Sequence, residues 1–399
     1  MKELLNLGKL YPSDFIPEGL DSSSQPIEMK LIKEKGSGLV RLERSAEPES
    51  MYGKYWYRSG TNSTMKLALK DVVDSIMKRQ PFEMGDIWLD IASNDGTLLS
   101  YVPMSYFRMG IDPADNTYRQ QALRSADEVI RAFFSADEFK KARPGKKAKV
   151  ITSIAMFYDV PNPEKFIQDV RDIMEDDGIW VMQLSYTPLM ILQTAFDNIC
   201  HEHLFYYSLF DLKKLLEDNG LAVVDCELND VNGGSMRVYI RKPQYAPKTS
   251  DVSYYRIQSL IAMEMGLEMD GEEVWRALGE KIAKLKTDVV SFIKTVRGQG
   301  SSVWAYGAST KGNTLLQYFG LDHTMIDGIA ERNPVKYNHR TLGTNIPIYS
   351  EAKMREVQPD YLLILPWHFI SEFTMREANY LKAGGKFIVP CPEFKIISK

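Results

Sequence analysis

The stretch FDNICHEHLFYYS, residues 196–208, sets two of the chain's five histidines around a glutamate. His201 and His203 are two apart, so they would share a face on a strand and point nearly oppositely on a helix. Zinc would need a third ligand. The other histidines, His323, His339 and His368, lie far along the chain, and the spacing is not HExxH. A metal site is therefore not expected. Two readings stay open: histidines buried by packing, or a general base. Imidazole accepts a proton near neutral pH, and the neighbouring Glu202 can orient it or a substrate hydroxyl. The stretch follows the strand-like GIWVMQLSYTPLM. The carboxyl end of a strand in a parallel sheet is where ligands gather, and that placement favours catalysis.

Two glycine turns add to this chemistry. IWLDIASNDGTLL reads as a strand ending in Asp90, a turn through Asn94, Asp95 and Gly96, and a helix opening at Thr97. Such a turn brings backbone N–H groups close to a ligand. Ala92 stands where the first glycine of GxGxxG would be, which suits a dinucleotide pyrophosphate poorly. RMGIDPA then ends a second strand in Asp112, an acid placed to accept both hydroxyls of a ribose. Together these residues point to an adenosine-type ligand without a pyrophosphate, with S-adenosylmethionine (SAM) as the usual candidate. Ser135 and Met156 are placed with them as cofactor contacts. The alternative is that Asp95 and Asp112 are only turn and cap residues. The second turn lies in VWAYGASTKGNTLLQYF, where Ser309, Lys311, Asn313 and a helix N-terminus could hold phosphate. It is not a Walker A loop. Glu331, closing the next strand in IDGIAERNP, stands where a second ribose contact would lie.

The elements that must position these residues alternate. From residue 65, strand-like runs (DIWLDIA, SYFRMGID, KVITSIAMFY, GIWVMQLS) are separated by helical ones, which marks an α/β domain with a largely parallel sheet. MKLALKDVVDSIMKR carries Leu67, Val72, Ile76 and Met77 near one helical stripe. AVVDCELNDV and GSMRVYIRK have no long helix between them and predict an antiparallel pair at the sheet edge. A long helical stretch over 253–300 bridges to a second alternation, giving two Rossmann-like units near 65–245 and 300–395. Residues 1–63 form a small, loop-rich lobe. At 399 residues the chain exceeds one ordinary core. Its net charge of −4, without a basic cluster, speaks against nucleic acid. No apolar run reaches the roughly 20 residues of a membrane span, and no signal peptide is expected. Three scattered cysteines fit a reducing compartment, so a cytoplasmic location is expected. No feature sets an oligomeric state.

Taken together, these motifs resemble the SAM-dependent nucleotide-sugar C-methyltransferases that build branched deoxysugars. The resemblance runs over nearly the whole chain, from LNLGKLYPSDF, GLVRLE and MYGKYWYRSGTNSTM through DIASNDGTLL, GIDPA, AMFYDVPNP and FDNICHEHLFYYS. It continues in NGGSMRVY, YGASTKGNTLLQYFGL, ERNPVKYNHRTLGTNIPI and LPWHF. It implies an N-terminal zinc-binding lobe (1–63), a class I methyltransferase domain holding SAM (64–248), and a helical bridge with a nucleotide-sugar-binding domain (249–399). The family's zinc is held by paired CxxC motifs. Here Glu34 and Ser37 occupy the places of one pair, so zinc is not expected. Cys200 stands where some members carry a tyrosine. The resemblance makes His203 the base that takes a proton beside the ketone of a nucleotide-linked 4-keto sugar, with Glu202 contacting the sugar. A polar donor to the ketone oxygen is sought among Tyr57, Tyr158 and His201. Ser309, Lys311 and Asn313 would grip the diphosphate, with Arg237 and the Trp367–His368 pair as further cleft residues. Two rivals stay open: methyl transfer to oxygen on a sugar or related molecule, and a degenerate nucleotide-sugar-binding protein without turnover.

Overall fold

The computed structural model describes residues 2–46, 56–269 and 271–399, so part of the aromatic stretch singled out above, residues 51–55, lies outside the described residues. Two compact units divide the chain: residues 1–47, 188–203 and 269–399 form the first, and residues 48–187 and 204–268 the second. This differs from the expected three-part division. The N-terminal lobe belongs with the C-terminal segment, and the histidine stretch up to His203 belongs there too.

The lobe opens the first unit. Strands β1 (Lys2–Leu10), β3 (Ile27–Lys33) and β4 (Val40–Leu42) run antiparallel, and β2 (Phe15–Pro17) lies between the first two in sequence. Met29, Leu31, Val40 and Leu42 face its core. At the β3–β4 turn, where the resemblance placed a cysteine pair, Ser37 Oγ donates to Glu34 Oε2 (2.9 Å) and Arg41 pairs with the other Glu34 oxygen. A local hydrogen-bonded turn occupies the position. Among the described residues no group of three or more His, Cys, Asp or Glu is arranged to hold a metal ion.

The second unit is built on a seven-stranded sheet. Its strands are β5 (Ile87–Ile91), β6 (Phe107–Ile111), β7 (Glu128–Ile130), β8 (Ala148–Ile154), β9 (Met174–Ser185), β11 (Ala222–Asn229) and β12 (Ser235–Arg241), with a two-residue strand β10 (Phe205–Tyr206) apart from it. The order is β11-β12-β9-β8-β5-β6-β7, parallel from β9 to β7, with β12 and β11 antiparallel at one edge as the sequence predicts. Every residue of β5 is buried, the mark of a strand covered on both faces. Two sequence expectations need correction. The helix Ser63–Arg79 buries Met65, Leu69, Val72 and Ile76, while Leu67 points outward at 69% exposure. The stripe is therefore rotated from the one first drawn. The turn at Gly96 is followed by no α-helix but by a single 3-10 turn, Leu99–Tyr101, because Pro103 leaves too few residues for a helix. The helix Val252–Gly266 also belongs to this unit, with Arg256 pairing with Asp225 of β11 at 2.6 Å.

The rest of the first unit is a second α/β sheet. It contains β13 (Val303–Tyr306), β14 (Ile329–Glu331), β16 (Ile348–Ser350), β17 (Tyr361–Ile364), β18 (Lys386–Val389) and β19 (Lys395–Ile397). The order β16-β14-β13-β17-β18-β19 is parallel except at β19. The short strand β15 (His339–Thr341) pairs with β2, so the lobe and the C-terminal segment share a ladder. Its core gathers Trp304, Tyr306, Leu362, Ile364, Phe373 and Phe387. The expected α/β class with two Rossmann-like sheets is what the chain forms.

Candidate active site

In each sheet the chain leaves the first strand in one direction and returns on its other side, and the carboxyl ends at that reversal form a ligand crevice. In the second unit the reversal lies between β5 and β8. The backbone is left-handed at Ala92 (φ 58°), Asn94 (φ 51°) and Gly96 (φ 77°) after β5, and again at Ala155 (φ 55°) after β8. Side-chain-bearing residues held there carry strain that clusters at functional sites. Gly96 is required for packing more than for ligand approach, because a Cβ would lie 2.6 Å from the Ala122 backbone. Asp112 ends β6 with each oxygen on one backbone donor, Asn94 N–H at 2.7 Å and Ala114 N–H at 2.8 Å. Burial raises its pKa. Each oxygen keeps a further lone pair, enough for the two hydroxyls of a ribose. Ser93 Oγ is buried and has no partner among the described residues. An unsatisfied polar atom beside this acid fits an adenosine-bearing ligand.

The other expected cofactor residues fall around the same turn with separate duties. Asp90 is buried, receives the Thr152 hydroxyl at 2.6 Å, and is pushed up to about 7 by burial. Asp95 is spent on structure: it accepts Gly60 N–H (2.9 Å), Thr97 N–H (3.2 Å) and the Thr97 hydroxyl (2.6 Å). Asn94 accepts Ser59 N–H at 3.0 Å and donates to the Tyr57 carbonyl at 3.0 Å. Residues 57–60 thus strap the turn, a role the sequence reading missed, although SGTN ends in the Asn62 helix cap. Ser135 caps the helix Ala136–Ala142 through Glu138 N–H, and Met156 follows β8. Tyr57, the first residue of the strap, is 42% exposed. Tyr158 is buried, its carbonyl accepting Leu204 N–H at 2.9 Å. Arg237, on β12, is occupied by Gln183 (2.9 Å), Asp71 (2.8 Å) and Glu227 (3.7 Å). Its ion pairs account for it as a structural residue, and the cleft role expected for it finds no support.

In the first unit the reversal lies between β13 and β17, and residues 196–203 bond to the segments that follow both strands. Phe196 packs on Tyr318 and Phe319 of the helix Thr310–Phe319. Asp197 accepts the Trp367 indole N–H at 3.0 Å. Asn198 does two things: its side-chain oxygen accepts the Lys311 ammonium at 2.5 Å, and its carbonyl accepts His203 Nδ1–H at 2.7 Å. Facing a carbonyl, Nδ1 must carry the proton, which leaves the basic lone pair on Nε2. His203 is buried, and burial, reinforced by the charge of Lys311, lowers its pKa to about 3. It is a neutral imidazole at physiological pH.

Glu202 is pushed up to about 7 by burial, against the Cys200 thiol that donates to it. Its Oε2, Asp197 Oδ1 and His368 Nδ1 are buried without a partner among the described residues. Buried polar atoms left without a partner fit a polar ligand better than a closed core. His201 differs. Its Nε2 faces the Leu10 carbonyl at 2.9 Å and so carries the proton, leaving Nδ1 an acceptor, and Ser45 bonds its carbonyl. It ties the stretch to the lobe and has no donor left for a ketone oxygen. The expected phosphate grip is likewise dispersed. Ser309 caps its helix through Gly312 N–H (3.0 Å), Asn313 donates to Ser13 Oγ (2.8 Å), and Lys311 turns to Asn198. Glu331 accepts the N–H groups of Ala308, Arg332 and Asn333, so it holds the turn.

Residues 230–392 match the model of the C-methyltransferase C-terminal domain, and residues 62–225 match a methyltransferase domain. The C-methyltransferase NovU of Streptomyces niveus is 30% identical over 364 residues, covering 90% of this chain and 85% of that protein. The chain belongs to the C-methyltransferase family. It is a SAM-dependent methyltransferase, and its kinship with C-methyltransferases favours carbon over oxygen as the methyl acceptor. Among solved structures, magnesium protoporphyrin IX methyltransferase of Synechocystis matches at 13% identity over 48% of this chain and 91% of its own, with a TM-score of 0.35. A SAM-dependent methyltransferase of Clostridium acetobutylicum matches at 11% over 44% and 91%, with a TM-score of 0.33. No helix of the described residues in this methyltransferase is long and apolar enough to cross a membrane. The site residues that sequence reasoning missed, Asp197 and Asn198, sit inside the motif that was singled out. Their polarity amid FDNIC was the available signal.

Proposed function

We propose that this C-methyltransferase acts on a nucleotide-linked 4-keto sugar in the cytoplasm and that His203 is its general base. The observation that supports this most is the hydrogen bond from His203 Nδ1 to Asn198 O, which presents a neutral Nε2 in a buried polar site. A C–H beside a ketone is acidified because the electron pair left behind delocalises onto the ketone oxygen. His203 Nε2 takes that proton and becomes an imidazolium, and the carbon gains nucleophilic character. Bound SAM supplies an electrophilic methyl on its sulfonium. Asp112, Ser93 and the strapped turn 92–96 would hold SAM, and a dry site strengthens every charge interaction made there. Glu202, near half-protonation at neutral pH, can donate or accept a hydrogen bond with a sugar hydroxyl. Tyr57 and Tyr158 are the candidates for the donor to the ketone oxygen. With Ser309 and Asn313 engaged elsewhere, the diphosphate would rest on the N-terminus of the helix Thr310–Phe319.

The test is mass spectrometry of nucleoside-diphosphate 4-keto-6-deoxyhexoses incubated with the enzyme in D₂O, with and without SAM. The expected result is enzyme-dependent deuterium uptake beside the ketone, and a methyl gain on the same sugar when SAM is present. A methyl gain with no uptake that depends on His203 would remove His203 as the base.

A further inference from the structure

Lys311 is the residue whose expected and observed surroundings differ most. As a diphosphate grip it would share its ligand with Ser309 and Asn313, yet Ser309 is a helix cap and Asn313 is tied to Ser13. The ammonium instead lies against Asn198 Oδ1 at 2.5 Å. The same Asn198 holds the base through its carbonyl, 2.7 Å from His203 Nδ1, and is itself fixed by its Nδ2–H to Ala195 O at 3.0 Å. One rigid residue therefore joins the cation to the base. The charged and titratable groups that feel Lys311 are Asp197, Cys200 and His203 from residues 196–203, and His368 from the segment after β17. Asp197 Oδ1 and His368 Nδ1 in this set are buried without a partner among the described residues.

We propose that Lys311 is the catalytic cation that stabilises the enolate oxygen, with Asn198 as the residue that positions it beside His203. This rests on the carbon-acid reading above. The step balances without any further reagent. The C–H proton goes to His203 Nε2, its bonding pair becomes the carbon–carbon π bond, and the carbonyl π pair moves onto oxygen. Lys311 keeps its protons throughout and only offsets the new charge. A neighbouring cation makes His203 a weaker base for protons from water, and the same cation lowers the energy of the anion formed opposite it. Burial lowers the pKa of the Lys311 ammonium, and the Asp197 carboxyl group works against that shift.

Lys311→Met and Lys311→Arg would be compared with wild-type enzyme in D₂O, using dTDP-4-keto-6-deoxyglucose as the probe for exchange and free dTDP for calorimetric binding. In Lys311→Met the exchange rate at saturating sugar should fall about 100- to 1000-fold, with dTDP affinity held within about threefold, and Arg should restore part of the rate. Unchanged dTDP binding also certifies the fold. The acid limb of the exchange profile should move to higher pH, because His203 loses a repelling neighbour. A tenfold or greater loss of dTDP affinity with the saturated exchange rate intact would overturn the proposal in favour of a diphosphate grip. A lower rate with an unmoved acid limb would overturn it in favour of a structural role. If wild-type enzyme shows no exchange, the carbon-acid reading fails first and takes this assignment with it.

Discussion

The neutral, buried state of His203 has a consequence that can be read without any substrate. In the unfolded chain its imidazole titrates near 6.5, whereas in the folded protein burial and Lys311 hold it down to about 3. Below pH 6.5 the unfolded chain therefore binds a proton that the folded chain refuses, and stability is lost as pH falls toward 3. Each pH unit in that window is worth about 1.4 kcal/mol, so going from pH 7.5 to pH 5 should cost about 2 kcal/mol through this residue. Glu202 and Asp90, both raised to about 7, act in the opposite sense. The folded chain keeps their protons longer, so their contribution is lost as pH rises from about 4 to 7. Wild-type stability is a sum of opposed slopes, and only a difference measurement isolates His203. The perturbation is His203→Gln, followed by guanidinium unfolding at pH 7.5 and pH 5.0. Relative to wild type, the variant should gain about 2 kcal/mol at the lower pH. An identical pH dependence in both proteins would refute a buried neutral imidazole, and with it the basis for a general base at this position. Deuterium exchange in the same variant should drop at least 100-fold, as removal of a general base does.

Three more outcomes follow from the geometry. Gly96→Ala puts a Cβ 2.6 Å from the Ala122 backbone at a positive φ, which should destabilise by about 2–5 kcal/mol and lower the thermal midpoint; an unchanged midpoint would contradict the placement of the turn. Asp112→Asn sets an amide N–H₂ or a weaker acceptor against two backbone donors at 2.7 and 2.8 Å, and SAM affinity by calorimetry should fall about 10- to 100-fold; equal affinity would remove Asp112 from the cofactor site. Trp367→Phe strips Asp197 of its indole donor and leaves both carboxylate oxygens wanting, for a loss of about 1–3 kcal/mol in chemical unfolding; no loss would mean that the Asp197 contact is not formed.

What the sequence disclosed and what it hid divide along distance in the chain. The turn at 90–96 and the acid at 112 were legible because strand, turn and strand are neighbours, and their hydrogen bonds span fewer than twenty residues. The edge pair β11–β12 was legible for the same reason. The Lys311–Asn198 bond joins residues 113 apart, and the Trp367–Asp197 bond residues 170 apart, so no local pattern announces either. The cap formed by Ser309 was not legible because one hydroxyl suits a helix cap and a phosphate equally, and only the structure shows it accepting Gly312 N–H. The membership of the lobe was hidden because β2 finds its partner β15 more than 300 residues on.

The two sheets also share a device that explains why their acids end in different roles. In each, the acid closing the second strand accepts an N–H from the turn after the first: Asp112 from Asn94, and Glu331 from Ala308. Asp112 stops at one backbone donor per oxygen, which leaves it room for a ligand. Glu331 goes on to take Arg332 and Asn333 N–H groups, with the Lys336 ammonium 3.9 Å away and bonded in turn to the Ala308 carbonyl. With three backbone donors and a nearby ammonium, Glu331 fixes the turn. The turn it fixes is the one that launches the helix carrying Lys311. In one sheet the acid is kept open toward a ligand. In the other it holds the turn, and two polar atoms without a partner among the described residues, Asp197 Oδ1 and His368 Nδ1, belong to groups that interact with Lys311. In the second sheet the acid instead braces the turn that launches the helix carrying Lys311, the cation proposed above to face the enolate oxygen.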